Sequence, residues 1–414
     1  MKSKIISSWP QIEFYEIIKG KPRHGVYKPK EFFGKGTKII KMGTHMKNNF
    51  ITDDRIPDLI QLTENEIQRY QIFENDLLFL RTSLVMEGTG KCSIVKKLNQ
   101  PMVFVSNIIA ISLDNLKANS MFYYYYFSSK KGRNTILSLC EQTAAATVRS
   151  SDLINLKIPY PTFEIQNKIS QMLLSLDEQI FLCKQQNKIL KKTIRSIYKS
   201  WFIDFDGQIE FVDSELGEIP KGWMVKKIEE ICDTYGGGTP STKNSEYWNG
   251  DINWAIPSDL TKSNTFFLFE TERKITKSGF DHCASKLHPK NSILMTSRAT
   301  IGYFSINRVP VATNQGFIVI EPKKFNELYY LLNNFQERTS EFIEKANGTT
   351  FLEISRGTFR KLSILIPTEK LLNDFFQNVE SIYNLIEKNE KEIQNLQTIR
   401  DSLLQKLFSG KDQI

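Results

Sequence analysis

Residues 120–202 align with residues 326–408 at a constant offset of 206 without a gap, and nothing else in this 414-residue chain constrains its fold as tightly. Under that shift Tyr123 and Tyr124 fall on Tyr329 and Tyr330, Thr143 on Thr349, Leu156 on Leu362, Ile158 on Ile364, Pro161 on Pro367, Asn167 on Asn373, Leu190 on Leu396 and Phe202 on Phe408. With small insertions the match reaches back, placing residues 105–111 on 312–320, 20–33 on 238–248 and Trp9 on Trp223. Glu31-Phe32-Phe33 then meets Glu246-Tyr247-Trp248. Self-similarity at this period means two copies of one unit of about 200 residues, each a long mixed segment followed by one long helix.

The helical part of each copy carries a heptad seam. From Ile169 apolar residues recur at spacings of four and three through Leu173, Leu176, Ile180, Cys183, Leu190, Ile194, Ile197 and Trp201, interrupted by Asn187. The second copy repeats this through Phe375, Val379, Ile382, Ile386, Ile393, Leu396, Leu403 and Leu407, with Asn389 and Arg400 as its polar members. Pro161 and Pro367 mark the stops before the helices, Gly207 and Gly410 follow them, and each seam predicts a helix of roughly 33 residues, or about 50 Å. An apolar stripe of that length must be buried, and the nearest equivalent surface is the other copy. A two-fold relation makes the pair antiparallel, so that residue i faces residue 576 − i. Asn187 then faces Asn389, as a register-fixing amide pair would, and Arg400 faces Leu176 and reaches toward Asp177 or water.

The expected fold class is therefore α+β (mixed), with an internal pseudo-two-fold repeat: two similar domains separated by a long antiparallel coiled coil of two helices. The expected boundaries are 1–157 for the first domain, 158–206 for the first helix, 207–363 for the second domain and 364–414 for the second helix. The longest apolar run, VFVSNIIAISL at 103–113, is interrupted by Ser and Asn and falls short of the roughly 20 residues a membrane helix needs. MKSKIISSW lacks an apolar signal core. Five cysteines form no CxxC pair and read as reduced thiols. The expected compartment is the cytoplasm.

Net charge is +9, which favours a polyanionic partner, and its distribution is uneven. Residues 1–157 hold 23 Lys+Arg against 14 Asp+Glu, whereas residues 206–363 hold 19 against 20. A second half that touches nucleic acid must therefore do so through a local patch.

Tests for catalysis fail one after another. YGGGTPSTK lacks the GxxxxGK[ST] order of a phosphate loop, and VMEGTGKC at 85–92 has Val85 and Cys92 at its outer positions. GxGxxG after a strand, HExxH, GxSxG and an Asn-Pro-Pro-aromatic or Asp-Pro-Pro-Tyr methylation motif are all missing from the sequence. His282-Cys283 with His288 reads as a loop coincidence rather than a metal site. The working class is a binding protein without metal or cofactor of its own. DLLFLRTS (76–83), VFVSNIIAISL, SILMTSRATIGYF (292–304) and GFIVIEP read as strands, and MFYYYYF (121–127) as helical core rather than a base-stacking strip. Polar and basic residues near strand ends are the candidates for facing DNA: Arg81, Thr82, Ser83, Lys91, Lys96 and Lys97 in the first copy, Ser297, Arg298, Asn314 and Gln315 in the second. Phosphate and base contacts use the same residue types, so their individual roles stay open.

GEIPKGWMVKKIEEI (217–231), GGGTPSTKNSEYWNGDINWAIPSDL (236–260), SWFIDFD (200–206) and LLQKLFSG (403–410) together resemble the specificity subunits of type I restriction-modification systems, over nearly the whole chain. The resemblance implies two target recognition domains, each reading half of a split double-stranded DNA sequence and separated by the coiled coil. It implies a non-catalytic subunit holding two methyltransferase subunits, which use S-adenosylmethionine to methylate adenine N6. Restriction subunits carrying ATP and Mg would join for cleavage. IIKGKPRHGVYKPKEFFGKG departs from the Gly-Gly-Thr-Pro opening in the first domain and leaves its DNA contacts open. The glycines at 236–238 read as a turn into a recognition domain. The runner-up reading is a stand-alone architectural or regulatory DNA-binding protein, and a third is a hydrolase that would need turnover by the isolated chain.

Overall fold

A computed structural model describes residues 9–83, 86–140, 146–263, 265–348 and 350–409. Thr143, Thr349, Val85, Gly410 and the first eight residues, all used in reading the sequence, lie outside the described residues. The chain divides into two compact units, Met1–Ile180 with Asn395–Ile414, and Phe181–Gln394.

The first unit is built on a five-stranded sheet in the order Arg23–His24, Ile108–Ile111, Leu77–Leu80, Cys92–Val95, Phe50–Ile51. All neighbours are antiparallel except the last pair. Strand Leu77–Leu80 is buried on both faces. Successive side chains point to opposite faces, and here Leu77 and Phe79 join Ile109, Ile111 and the helix Ser120–Ser128, while Leu78 and Leu80 join Ile40, Met102 and Phe104 on the other side. That second layer is a three-stranded sheet, Leu59–Ile60, Phe33–Ile40, Met102–Phe104. The Tyr run is thus helix and core: residues 121–127 are all buried.

The second unit repeats this ladder. Its five strands are Cys232–Gly236, Phe317–Pro322, Ile293–Thr296, Phe304–Asn307 and Phe267–Leu268, and its three are Lys274–Ile275, Trp248–Ala255 and Val311–Thr313. The parallel pairings recur at the same places. Three expected strands are each broken in two. VFVSNIIAISL gives Met102–Phe104 to one sheet and Ile108–Ile111 to the other, SILMTSRATIGYF gives Ile293–Thr296 and Phe304–Asn307, and DLLFLRTS gives Leu77–Leu80 and Thr82–Ser83, the latter paired with Ala146–Thr147. In the first case the chain must change layers within three residues, at 105–107, and a continuous strand cannot do so.

The long helices run Phe163–Phe202 and Glu369–Ser409, 40 and 41 residues, so each begins six residues ahead of its apolar seam. In the first unit Ile169 and Leu173 share a core with Leu407 and Phe408. There Arg400 Nη1 donates to Asp177 Oδ1 at 2.7 Å, while Asp177 Oδ2 accepts from Tyr125 OH at 2.8 Å. In the second unit the Trp201 and Phe375 rings meet at 6.0 Å with their planes tilted by 59°, and Asn389 Nδ2 donates to Asn187 Oδ1 at 2.8 Å. Rising numbers on one helix meet falling numbers on the other in each unit, so the segments run antiparallel.

Asn187 and Asn389 are 6% and 7% exposed. Asn389 Nδ2 also donates to Gln186 Oε1 at 2.9 Å, so it is replacing Asn389 that takes the donor from Asn187 Oδ1. That costs about 1–3 kcal/mol, whereas replacing both with apolar groups removes the penalty. Urea denaturation of Asn389→Leu should show that loss, and the double variant Asn187→Leu/Asn389→Leu should recover most of it.

Candidate nucleic-acid interface

The carboxyl end of strand Ile293–Thr296 opens into a loop whose backbone is tied on every side. Ser297 N–H donates to Gly316 O at 2.8 Å, Ile354 N–H donates to Ser297 O at 3.0 Å, and Gly302 N–H returns to Thr296 O at 3.0 Å. Beside it, Gly238 N–H donates to Thr313 O at 2.9 Å. A Cβ on Gly237 would stand 2.1 Å from Asn314 O and 2.2 Å from Thr313 O, so only glycine allows the two backbones this close. Arg298, Ala299 and Thr300 are exposed at the tip, and Ala299 is held at φ 61°, a left-handed conformation uncommon for alanine.

The first unit builds the same frame from different residues. Arg81 N–H donates to Asn107 O at 2.7 Å, Val148 N–H to Arg81 O at 2.9 Å, Gly90 N–H to Leu80 O at 2.7 Å and Val26 N–H to Phe104 O at 2.8 Å. Gly25 takes the place of Gly237: its Cβ would lie 2.1 Å from Phe104 O. The repeat read from sequence set Gly20 against Gly238, whereas Val26 takes the place of Gly238 in the structure, six residues further on. The aromatic triplets further on do correspond, each lying where a short helical turn enters the long strand of the three-stranded sheet.

Of the residues singled out in the sequence, the frame gathers Arg81, Thr82 and Ser83 in one unit and Ser297, Arg298, Asn314 and Gln315 in the other. Their surroundings differ. Arg81 is exposed, Thr82 Oγ1 lies 3.4 Å from Thr147 Oγ1, and Ser83 and Ser297 are 8% and 2% exposed, so those two serines support the loops from inside. Arg298 lies 3.7 Å from Glu353, and Asn314 Oδ1 accepts from Gly316 N–H at 2.9 Å, which closes the turn under Gln315. Lys91 is half-buried and its Nζ donates to Met46 O; burial, and then Arg133, lowers its pKa. Lys96 and Lys97 lie past the far end of strand Cys92–Val95, about 17 Å or more from Lys91 at the rise of a strand, with Lys96 over the Phe50 ring. The length of that strand carries them to its opposite end, away from the others.

Three residues were missed in the sequence. His24, whose pKa is lowered by burial and by Arg81, places Nε2 3.3 Å from Ser150 Oγ. Arg133 donates to Thr89 O at 2.8 Å, and Thr239 Oγ1 donates to Gln315 Oε1 at 2.5 Å. Only the fold brings them to the frame. His282, by contrast, stacks on Tyr247 and His288 donates from Nδ1 to Glu321 at 2.7 Å. Among the described residues no three His, Cys, Asp or Glu side chains are placed to share a metal ion, and no helix is long and apolar enough to cross a membrane.

The model of the type I restriction modification DNA specificity domain matches the chain twice, at residues 13–192 and 220–395. The chain belongs to that family. The specificity subunit of the type I restriction enzyme MjaIX from Methanocaldococcus jannaschii is 37% identical over 210 residues, 50% of this chain and 49% of that protein. The chain thus spans about half the length of that relative. The HindI specificity subunit from Haemophilus influenzae is 24% identical over 319 residues, 62% of this chain and 69% of that one. The crystal structure of a type I S subunit from M. genitalium shares the fold at a TM-score of 0.63 and 16% identity, covering 99% of this chain and 98% of that one. The two matched stretches of the chain are the two copies of the repeat, and each carries one frame.

Gly25→Ala or Gly237→Ala should cost about 1–3 kcal/mol, as overpacking does, and lower the thermal midpoint. His45 is buried between the sheets: its Nε2 donates to Leu78 O at 3.0 Å, its Nδ1 has no partner, and burial pushes its pKa down to about 4. The unfolded chain binds that proton near pH 6.5, so this contribution is complete above pH 6.5 and is lost as pH falls toward 4, up to about 3 kcal/mol. Denaturation against pH should show the slope, and His45→Gln should flatten it.

Proposed function

We propose that this chain is the non-catalytic DNA-reading subunit of a type I restriction-modification complex, each specificity domain reading one half of a bipartite duplex site. The observation that carries this reading is the duplicated frame: one backbone, presented twice, with different exposed side chains. Arg81 and the residues around it face the ligand in one unit, Arg298 and Gln315 in the other. Phosphate contacts give salt-sensitive affinity and base contacts give the sequence. Domains at 1–157 and 207–363 are the readers, and the helical regions 158–206 and 364–414 are the spacer, its register held by Asn187 and Asn389. Two methyltransferase subunits bind S-adenosylmethionine and modify adenine N6, and restriction subunits with ATP and Mg complete the complex. The subunit itself brings no cofactor, and the assembly works in the cytoplasm.

Sequencing methylated DNA from the host with and without this chain tests the proposal. Loss of one bipartite adenine mark is expected, and an unchanged methylome contradicts it. If the helices set the gap between half-sites, inserting one heptad into both, in the stretches around Asn187 and Asn389, lengthens the spacer by about 10 Å. The mapped gap should then grow by about three base pairs at 3.4 Å each.

A further inference from the structure

The glycine-led loop of the second unit ends in a side-chain contact at the tip of the frame. Thr239 Oγ1 donates to Gln315 Oε1 at 2.5 Å, and both residues are exposed. The backbone on each side of the pair is clamped. Gly238 N–H donates to Thr313 O at 2.9 Å, and Gly238 O accepts from Trp254 Nε1 at 3.0 Å. Asn314 N–H donates to Ala255 O at 3.0 Å, and Gly316 is tied both to Asn314 Oδ1 and to Ser297 N–H. Gln315 therefore stands on a fixed turn, and Thr239 sets where its amide lies. The hydroxyl occupies one lone pair of Oε1. The other lone pair and both N–H groups of Nε2 stay available.

A side-chain amide offers an acceptor and a donor side by side, which matches the major-groove edge of adenine: Oε1 accepts from N6–H and Nε2 donates to N7. Guanine shows two acceptors there and cytosine a single donor, so neither pairs with the amide in both places. Holding the amide beforehand removes part of the ordering cost of docking a free glutamine on a base. In the first unit the frame puts Tyr27 and Ser106 at these two positions, where Ser106 N–H donates to Val26 O at 3.0 Å. Neither side chain supplies an amide, so the two units offer different chemistry on one backbone.

We propose that Gln315 reads an adenine in the half-site of the second unit and that Thr239 is the positioning residue that sets its amide; this rests on the reading of that unit as a DNA reader. Gln315 touches the base, and Thr239 acts through Gln315.

The test maps the methylated motif left by the complex of this chain with its methyltransferase, for the unsubstituted chain and for Gln315→Glu, Thr239→Val and Thr239→Ser. A glutamate has acceptors only and matches cytosine N4–H. Gln315→Glu should shift one position of the second half-site from adenine toward cytosine, with adenine discrimination falling about 5- to 150-fold, as one bidentate contact is worth. The first half-site should stay unchanged. Thr239→Val should weaken discrimination at that same position, and Thr239→Ser, which keeps the hydroxyl, should restore it. An unchanged motif in both Gln315→Glu and Thr239→Val overturns the proposal, and so does loss of both half-sites together, because these are exposed residues on a clamped turn. An unsubstituted complex that leaves no bipartite mark overturns the underlying reading as well.

Discussion

The structure depends on a backbone-to-backbone approach that only glycine permits. At Gly25 and again at Gly237 the chain passes so close to the carbonyls of the next sheet that a methyl group would stand 2.1 Å from an oxygen. That approach docks the first strand of the five-stranded sheet on the turn leaving the three-stranded one, and the turn in turn receives Arg81 N–H or Ser297 N–H. Everything exposed at that end hangs from these bonds. A reading surface needs side chains that differ on a backbone that does not move, and the frame supplies both.

Much of this was legible in the sequence, for identifiable reasons. The repeat was visible because helices tolerate no insertions where they pack, so residues 120–202 and 326–408 kept their spacing. The amide pair was visible because each apolar seam is interrupted by an asparagine at mirrored positions. Arg400 was expected to reach Asp177, and it does. The glycine correspondence was not legible: strand Phe33–Ile40 is fixed by its aromatic neighbours, but the loop before it has a different length in each copy, and only backbone contacts show which glycine fills the tight place. The break at 105–107 was missed because the chain changes layers there without Pro or Gly, and the break at 297–303 because a hairpin within one sheet closes there without Pro. Burial separated Ser83 and Ser297 from their exposed neighbours, and strand direction separated Lys96 and Lys97 from Lys91.

Charge also reads differently once folded. The second half of the chain is nearly neutral in total, yet many of its cations are spent internally: Arg308 on Glu387 at 2.8 Å, Lys286 on Glu321 at 2.9 Å and Lys262 on Glu272 at 2.8 Å. Arg298, facing Glu353 at the longer distance of 3.7 Å, stays exposed at the frame. The local patch that a near-neutral domain needs is thus a matter of which cations are left over. In the first unit the same end carries His24, whose imidazole pKa is lowered by burial and then by the nearby Arg81. A low imidazole pKa keeps that group neutral beside its charged neighbour near pH 7.

The central claim is that one frame, built twice, does the reading in both halves. Amide hydrogen exchange of the assembled complex on a duplex carrying both half-sites tests it directly. Slowed exchange should appear together at residues 24–27, 81–83 and 105–107 and at residues 237–239, 297–302 and 314–316, and a duplex with one half-site scrambled should release only one of the two sets. Protection confined to other surfaces, or both sets released together by either scrambled half, would contradict the account.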